Sequence, residues 1–316
     1  MEHIDKAKLN ATFKSKDTEE WLDIHFTRPL GYMWALFFKH LHVHPNVVTI
    51  LSMVIGIMAG MMFYYTDLVH NIIGVLLLIW ANLYDSADGQ LARMTGKKTL
   101  WGRILDGFAG DVWFFAIYLA IVLRVWYDYI PFTQVYWSVL ILAIAIFSGT
   151  VCHSRQCQLA DYYRNIHLYF LKGEEGSEFD TSRKQRELLE TTPKKGNFWH
   201  RVFLIFYGKY THSQESMTPY FQDLMNVLNK EFNGKAPEKF RLDFRKESLP
   251  MMKYANILTF NCRAITLYAC CLLNIPWLYF LVEIIAFSML AFYLRDRHES
   301  MCRHFAMLLK NGYYNE

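Results

Sequence analysis

The chain has 316 residues, of which 53% are hydrophobic and 20% charged, with a net charge of +4. That composition excludes a disordered, collagen-like or low-complexity chain, and it argues against two ordinary soluble domains, which carry about 25% charged residues. The near balance of 33 Lys and Arg against 29 Asp and Glu does not describe a nucleic-acid binder, and a mean hydropathy of +0.08 is too low for a chain that is membrane throughout.

The N-terminus, MEHIDKAKLNATFKSKD, has no apolar core of a signal peptide, so none is expected to be cleaved. Glu19–Lys39 mixes Trp21, Leu22, Ile24, Phe26, Trp34, Leu36 and Phe37 with charges and is divided by Pro29. It predicts an amphipathic helix, lying at the membrane interface or packed on the end of a bundle. A hydrocarbon core of about 30 Å needs about 20 helical residues. By that measure the hydropathy predicts six spans, at about 46–66, 71–92, 103–125, 132–153, 253–273 and 276–294. The short connections Asp67–His70, Tyr127–Tyr129 and Asn274–Pro276 carry little positive charge. The opposite ends carry Lys97, Lys98, Arg103, Arg155, Arg164, Lys253, Arg295 and Arg297, so those ends and both termini are expected in the cytoplasm.

Between the fourth and fifth spans lies a polar interval of a length no plain connector needs. It holds a surface loop at Gly173–Gln185, a compact aromatic stretch at Arg201–Tyr210 and a short amphipathic helix at Tyr220–Phe232. The expected organisation is an interfacial segment 1–44, four spans in 45–160, a cytoplasmic helical insert 161–250, two spans in 251–298 and a tail 299–316. The six cysteines, Cys152, Cys157, Cys262, Cys270, Cys271 and Cys302, form no CxxC pair, so neither a disulfide framework nor a structural zinc site is expected.

The informative residues are Asp85, Asp88, Asp106 and Asp111, with Gly89, Ala92, Arg93 and Gly102 between them. Four carboxylates at the ends of apolar helices are costly unless paired or metal-bound. Asp85 and Asp88 are three apart and share a helix face. Oxygen donors suit magnesium, calcium or manganese, and such ions stabilise transferring phosphoryl groups. Gly89 and Ala92 leave room for a nucleotide, and Arg93 offers a fork to phosphate. Composition and spacing leave three readings open: metal-assisted phosphoryl chemistry, an ion pathway, or a polar cap on the bundle.

The segment Asp85-Ser-Ala-Asp88-Gly89-Gln-Leu-Ala92-Arg93, followed after eight residues by Gly102 and after three more by Asp106, closely resembles the CDP-alcohol phosphotransferase family. Pro45-Asn46-Val-Val-Thr49 is similar to that family's entry to the first helix. In layout the resemblance covers about 30–160 and 253–294. It implies an all-α integral membrane fold, a six-helix transmembrane bundle, and a homodimer. It also implies transfer of a substituted phosphate from a CDP-linked donor to an alcohol, with release of CMP. Asp85, Asp88, Asp106 and Asp111 would then hold two divalent cations, Mg2+ or Mn2+. Asn46, Thr49, Asp88, Gly89, Ala92, Arg93 and Gly102 would form the nucleotide site. Asp106 and Asp111 would be the catalytic pair, Asp111 taking the proton of the attacking hydroxyl.

The chain departs from the family at one point. The family sets its last two acids four apart, whereas Asp106 and Asp111 are five apart. On an ideal helix Asp111 points about 140° from Asp106. A π-bulge at Gly107 and Gly110 is the expected remedy. Arg155 and Arg263 are the candidates to grip an acceptor phosphate, with Arg263 alternatively pairing with Glu283, and His153 near enough to add a hydrogen bond. They favour CDP-diacylglycerol as donor with inositol phosphate or another polyol as acceptor. The alternative is CDP-ethanolamine or CDP-choline with diacylglycerol or ceramide. A membrane transporter or a non-catalytic scaffold would be a different class. The expected partners are membrane lipids and these two substrates, with no nucleic acid.

Overall fold

The structure is a computed structural model that describes residues 15–314 apart from 98, 174–176 and 178. The side chains of Leu100, Arg103 and Ile104 are also outside the described set, so the expectations placed on 1–14, Lys98 and the Arg103 side chain fall outside it. The described residues form helices and no strand; their only extended pairing is an isolated bridge between Tyr129 and Tyr136. Six helices are long and apolar enough to cross a membrane: Pro45–Met62, Leu68–Thr95, Leu105–Val125, Ser138–Lys172, Glu238–Leu272 and Trp277–Lys310. This is the expected all-α integral membrane class with six spans. The chain divides into two compact units, Met1–Ser154 with Phe260–Ala286, and Arg155–Thr259 with Phe287–Glu316.

The first unit begins with a π-helical turn, Asp23–Thr27, that runs into α1 (Arg28–His40). The expected division at Pro29 does not occur. Proline sits in the first turn of α1, where its missing N–H removes least, and the wider π turn precedes it. Next come α2 (Pro45–Met62), α3 (Leu68–Thr95) and α4 (Leu100–Val125). Each of these three starts on a side-chain cap. His44 Nδ1 accepts from the Asn46 N–H at 3.2 Å, Asp67 Oδ1 from His70 at 3.1 Å, and Thr99 Oγ1 from Gly102 at 2.9 Å. Gly96, at φ 68°, ends α3 in the left-handed conformation that a Cβ disfavours.

Helix α2 packs against both α3 and α4, and α1 packs against α3. Lipid tails are as apolar as leucine, so packing rather than water exclusion holds such helices together, and small residues set the distance. A Cβ on Gly56 would stand 1.9 Å from the Trp113 ring, and one on Gly60 would stand 2.9 Å from the Ala116 backbone. Trp113, 2% exposed, donates its indole N–H to the Ser52 carbonyl at 3.0 Å. The outward faces present Ile50, Val54, Met61, Leu76, Phe115 and Leu119, as lipid contact requires. At the end away from the acids, Arg124 is buried. Its guanidinium donates to the Phe63 carbonyl at 3.0 Å and to Asn71 Oδ1 and Asn274 Oδ1 at 2.8 Å each.

The fourth span starts later than expected. Residues 128–137 form a tight loop closed by Trp137 N–H to Asp128 O at 2.9 Å and Ile130 N–H to Val135 O at 2.8 Å. α5 (Ser138–Phe147) follows, then a π-helical segment Ser148–His153. α11 (Phe260–Leu272), α12 (Trp277–Val282) and a second π segment, Glu283–Phe287, complete the unit. The two π segments carry a buried polar network. Glu283 accepts from Arg263 NH1 at 2.5 Å, from Tyr279 at 3.0 Å, and from Ser148 and Tyr118; His153 Nδ1 lies 2.8 Å from it.

The second unit comprises α6 (Ser154–Lys172), α7 (Ser182–Thr191), α8 (Phe198–Ser216), α9 (Pro219–Phe232), α10 (Glu238–Ile257) and α13 (Ser288–Lys310). Helix α13 packs on α9 and α10, and α7 on α8. The core is aromatic: Phe170, Phe221, Phe240, Phe244 and Phe305 are all fully buried, with Phe170 and Phe244 centroids 4.3 Å apart. Helix α6 runs past the apolar stretch to Lys172 because hydropathy marks where lipid ends, not where backbone hydrogen bonding does. Gly173, at φ 81°, stops it.

Candidate active site

Asp85 and Asp88 project from one face of α3, and Asp106 from the first turns of α4. One carboxylate oxygen from each lies within 4.8 Å of the others. Asp88 is 3% exposed, while Asp106 is open to solvent. Asp85 Oδ1 and Asp88 Oδ2 are buried and make no hydrogen bond. Buried acceptors left this way cost about 1–3 kcal/mol each, and like charges so close add repulsion. An oxygen-only set with unsatisfied buried oxygens fits a hard divalent cation of the magnesium, manganese or calcium type. The residues present therefore fit the metal that the resemblance implies.

The expected nucleotide residues come together around this group in pairs. The Asn46 amide, on the first turn of α2, rests against Gly102: a Cβ there would stand 3.0 Å from Asn46 Oδ1 and 3.1 Å from Thr99 Oγ1. A methyl at 102 would crowd both side chains, which would have to give by a few tenths of an ångström. Thr49, 2% exposed, is within hydrogen-bonding reach of Asp88. Arg93 folds back over Gly89 one turn earlier, its guanidinium 3.5 Å from where a Gly89 Cβ would be. Ala92 is half-buried beside it.

The expected π-bulge at Gly107 and Gly110 is absent. Helix α4 is regular α throughout, and Asp111 does not join the three clustered carboxylates. Nothing lies within 4 Å of a Cβ at Gly107 or Gly110, so no packing forces the helix out of its default hydrogen bonding. Asp111 lies on the outward face of α4 that also carries Phe108 and Phe115, and the charge it senses is that of His153. Of the four acids expected to hold cations, the structure brings three together, Asp85, Asp88 and Asp106.

Arg263 is also placed differently from its expected role in acceptor binding. It is 0% exposed and bonded to Glu283, so its charge is committed inside the bundle. Arg155 belongs to the second unit. Asn261 donates to Glu20 Oε2 at 2.9 Å and Asp23 Oδ1 at 3.0 Å, fixing the segment before α1. One basic residue at the acids escaped the sequence reading. Arg28 adds positive charge near Asp85 while bound in a fork to Glu19, at 3.0 and 3.2 Å. Its only cue was an arginine preceding Pro29 in an amphipathic stretch.

Carboxylates from two adjoining helices, Asp85 and Asp88 of α3 and Asp106 of α4, thus form an acidic cluster on an integral membrane bundle. Residues 42–162 match the model of the CDP-alcohol phosphatidyltransferase family, which supports the family that the Asp85–Asp106 motif implied. A protein of Aquifex aeolicus (strain VF5), described as uncharacterized, is 36% identical over 70 residues, which is 22% of this chain and 34% of that protein. The match therefore spans about a third of that relative's length. No solved structure matches the chain.

Proposed function

We propose that the protein transfers a substituted phosphate from a CDP-linked donor to an alcohol, releasing CMP, as a step of phospholipid synthesis. The carrying observation is the carboxylate group of Asp85, Asp88 and Asp106 with its two buried, unpartnered oxygens. These residues would hold a divalent cation, Mg2+ or Mn2+, which when bound supplies positive charge to the donor's pyrophosphate oxygens. Asn46 and Gly102 would bound one side of the nucleotide, and Gly89 and Arg93 the other, with the Arg93 fork meeting phosphate. In the reaction the acceptor oxygen bonds to the phosphorus as the bond from that phosphorus to CMP breaks.

Asp111 is proposed as the base for the hydroxyl proton. It lies about 7.5 Å along α4 from Asp106. It stands outside the carboxylate cluster, so its lone pairs are left for a proton. The charge asymmetry of the sequence supports a cytoplasmic acid end with both termini on the same side. That arrangement lets lipid enter from the bilayer and a soluble substrate from water.

For the substrates, Arg155 supports CDP-diacylglycerol with inositol phosphate or another polyol. The commitment of Arg263 to Glu283 removes half of that argument and favours the second branch, CDP-ethanolamine or CDP-choline with diacylglycerol or ceramide. The deciding experiment uses the purified chain in lipid with Mg2+ or Mn2+. Labelled CDP-diacylglycerol is offered with candidate alcohols, then CDP-headgroups with lipid alcohols. A lipid product with equimolar CMP in one set is expected. No metal-dependent lipid product in either set overturns the proposal.

A further inference from the structure

We propose that His298, Glu299 and Cys302, on α13 of the second unit, bind a divalent transition metal of the zinc class. This site is separate from the acid cluster and does not rest on the proposed transferase activity. One donor atom from each of the three residues lies within 4.8 Å of the other two, and all three residues are buried. His298 is 1% exposed, Glu299 6% and Cys302 0%.

The spacing places the donors. His298 and Cys302 are four apart and stack on one helix face, with Glu299 beside them. His298 Nδ1 is 3.5 Å from Cys302 Sγ and 3.9 Å from Glu299 Oε1. With zinc–nitrogen bonds of about 2.0–2.1 Å and zinc–sulfur bonds of about 2.3 Å, a tetrahedral N–S edge is about 3.5 Å. The imidazole and thiol thus already stand at a coordination edge. The matching N–O edge is about 3.4 Å, so Glu299 must approach by about half an ångström, within reach of a carboxylate rotation.

A second observation points the same way. Glu299 Oε2 accepts the Tyr220 N–H at 2.7 Å, at the start of α9, while Oε1, turned toward His298, is buried with no hydrogen bond. His298 Nε2 and the hydroxyl of Tyr163, whose ring stacks on His298 at 3.9 Å, are likewise buried without hydrogen bonds. Three unsatisfied polar atoms in one aromatic-walled knot are rare in a finished interior. A cation answers the carboxylate directly.

Charge selects the ion. Binding releases the Cys302 thiol proton to solvent, and His298 binds neutral. One thiolate and one carboxylate then cancel the two positive charges, so the buried complex carries no net charge. Sulfur and imidazole donors disfavour magnesium and calcium. Three protein donors leave a fourth position to water. The site would tie α13 to the N-terminus of α9 through the two oxygens of Glu299. A search for paired cysteines misses it because the motif is His-Glu-x-x-Cys, with a single sulfur.

The test uses the full chain in detergent, stripped by chelator and titrated with Co2+ alone. A thiolate-to-cobalt charge-transfer band saturating at one equivalent per chain, and bleached by Zn2+, is expected. Cys302→Ser should remove the band, whereas Cys157→Ser and Asp88→Asn should keep it. No band in monodisperse wild-type protein overturns the proposal, as does a band that survives in Cys302→Ser. Should Cys302→Ser fail to fold, X-ray absorption on zinc-loaded wild type decides. One sulfur with nitrogen and oxygen neighbours supports the site; an all-oxygen shell or no retained zinc refutes it.

Discussion

Replacing Asp88 by Asn tests whether the three carboxylates form a cation site or only a polar cap. In the metal-free protein Asp85 and Asp88 face each other with oxygens no more than 4.8 Å apart. At an effective dielectric of about 20, two unit charges at that separation repel by about 3.5 kcal/mol. Asp106 adds repulsion on both acids that remains in the variant, and Arg28 offsets part of the charge at Asp85. A net gain of about 2 kcal/mol is expected when the Asp88 charge is removed, or roughly 5 °C in melting temperature. The metal-free variant should therefore be more stable than the metal-free parent. With magnesium the order should reverse, because the parent gains a bound cation and the variant loses a ligand. Activity should fall by about a hundredfold or more. The assay is thermal unfolding in detergent with and without MgCl2, alongside CMP release. An Asp88→Asn protein that is destabilised without metal, yet still stabilised by magnesium like the parent, would refute the reasoning.

Asp111→Asn should cut transfer by about 10²–10⁴-fold while leaving magnesium-dependent stabilisation intact, because Asp111 lies outside the cluster; near-normal turnover removes it as the base. Glu283→Gln should cost about 3–5 kcal/mol by stranding buried Arg263, and Glu283→Leu with Arg263→Met should recover part of that, as read by unfolding midpoints. Equal destabilisation by the single and double variants would show that the ion pair is not the cause. Gly56→Ala should cost about 1–3 kcal/mol, since its Cβ drives the Trp113 ring off the Ser52 carbonyl. Gly110→Ala, with nothing within 4 Å of the added methyl and a helix-interior position, should raise stability by about 0.5–1 kcal/mol. A marked fall there would mean that α4 is packed more closely than described.

Much of the first unit was legible because its signals are local. Apolar length located the spans, and His44, Asp67 and Thr99 all cap the helices they precede. The motif acids Asp85, Asp88 and Asp106 also converge, since spacing of three fixes a helix face and the Gly96 turn returns the chain antiparallel. What failed depended on energy balance between distant segments. A π-bulge was expected where glycines permit one, yet π turns form at Ser148–His153 and Glu283–Phe287, where they seat a buried glutamate among its partners. Permission is local, but the need for a wider turn is tertiary. Arg263 could be read as a phosphate ligand or as half of an ion pair, and only the packing of Glu283 decides. In the second unit, Phe170, Phe240 and Phe305 come from three separate helices, so no single periodicity announces their shared core.

The Arg124 clasp gives the bundle a fixed end. One guanidinium holds the last turn of α2 through Phe63, the first turn of α3 through Asn71, and the bend after α11 through Asn274. Asp85 lies fourteen residues beyond Asn71 on α3, about 21 Å along the axis. The acid end of α3 is held as well, with Ala87 and Leu91 buried against Ala35 and Phe38 of α1. A tilt of only about 5° would move Asp85 by about 2 Å, the length of a carboxylate–magnesium bond. Fastening α3 at both ends is therefore what keeps its two acids within reach of one cation.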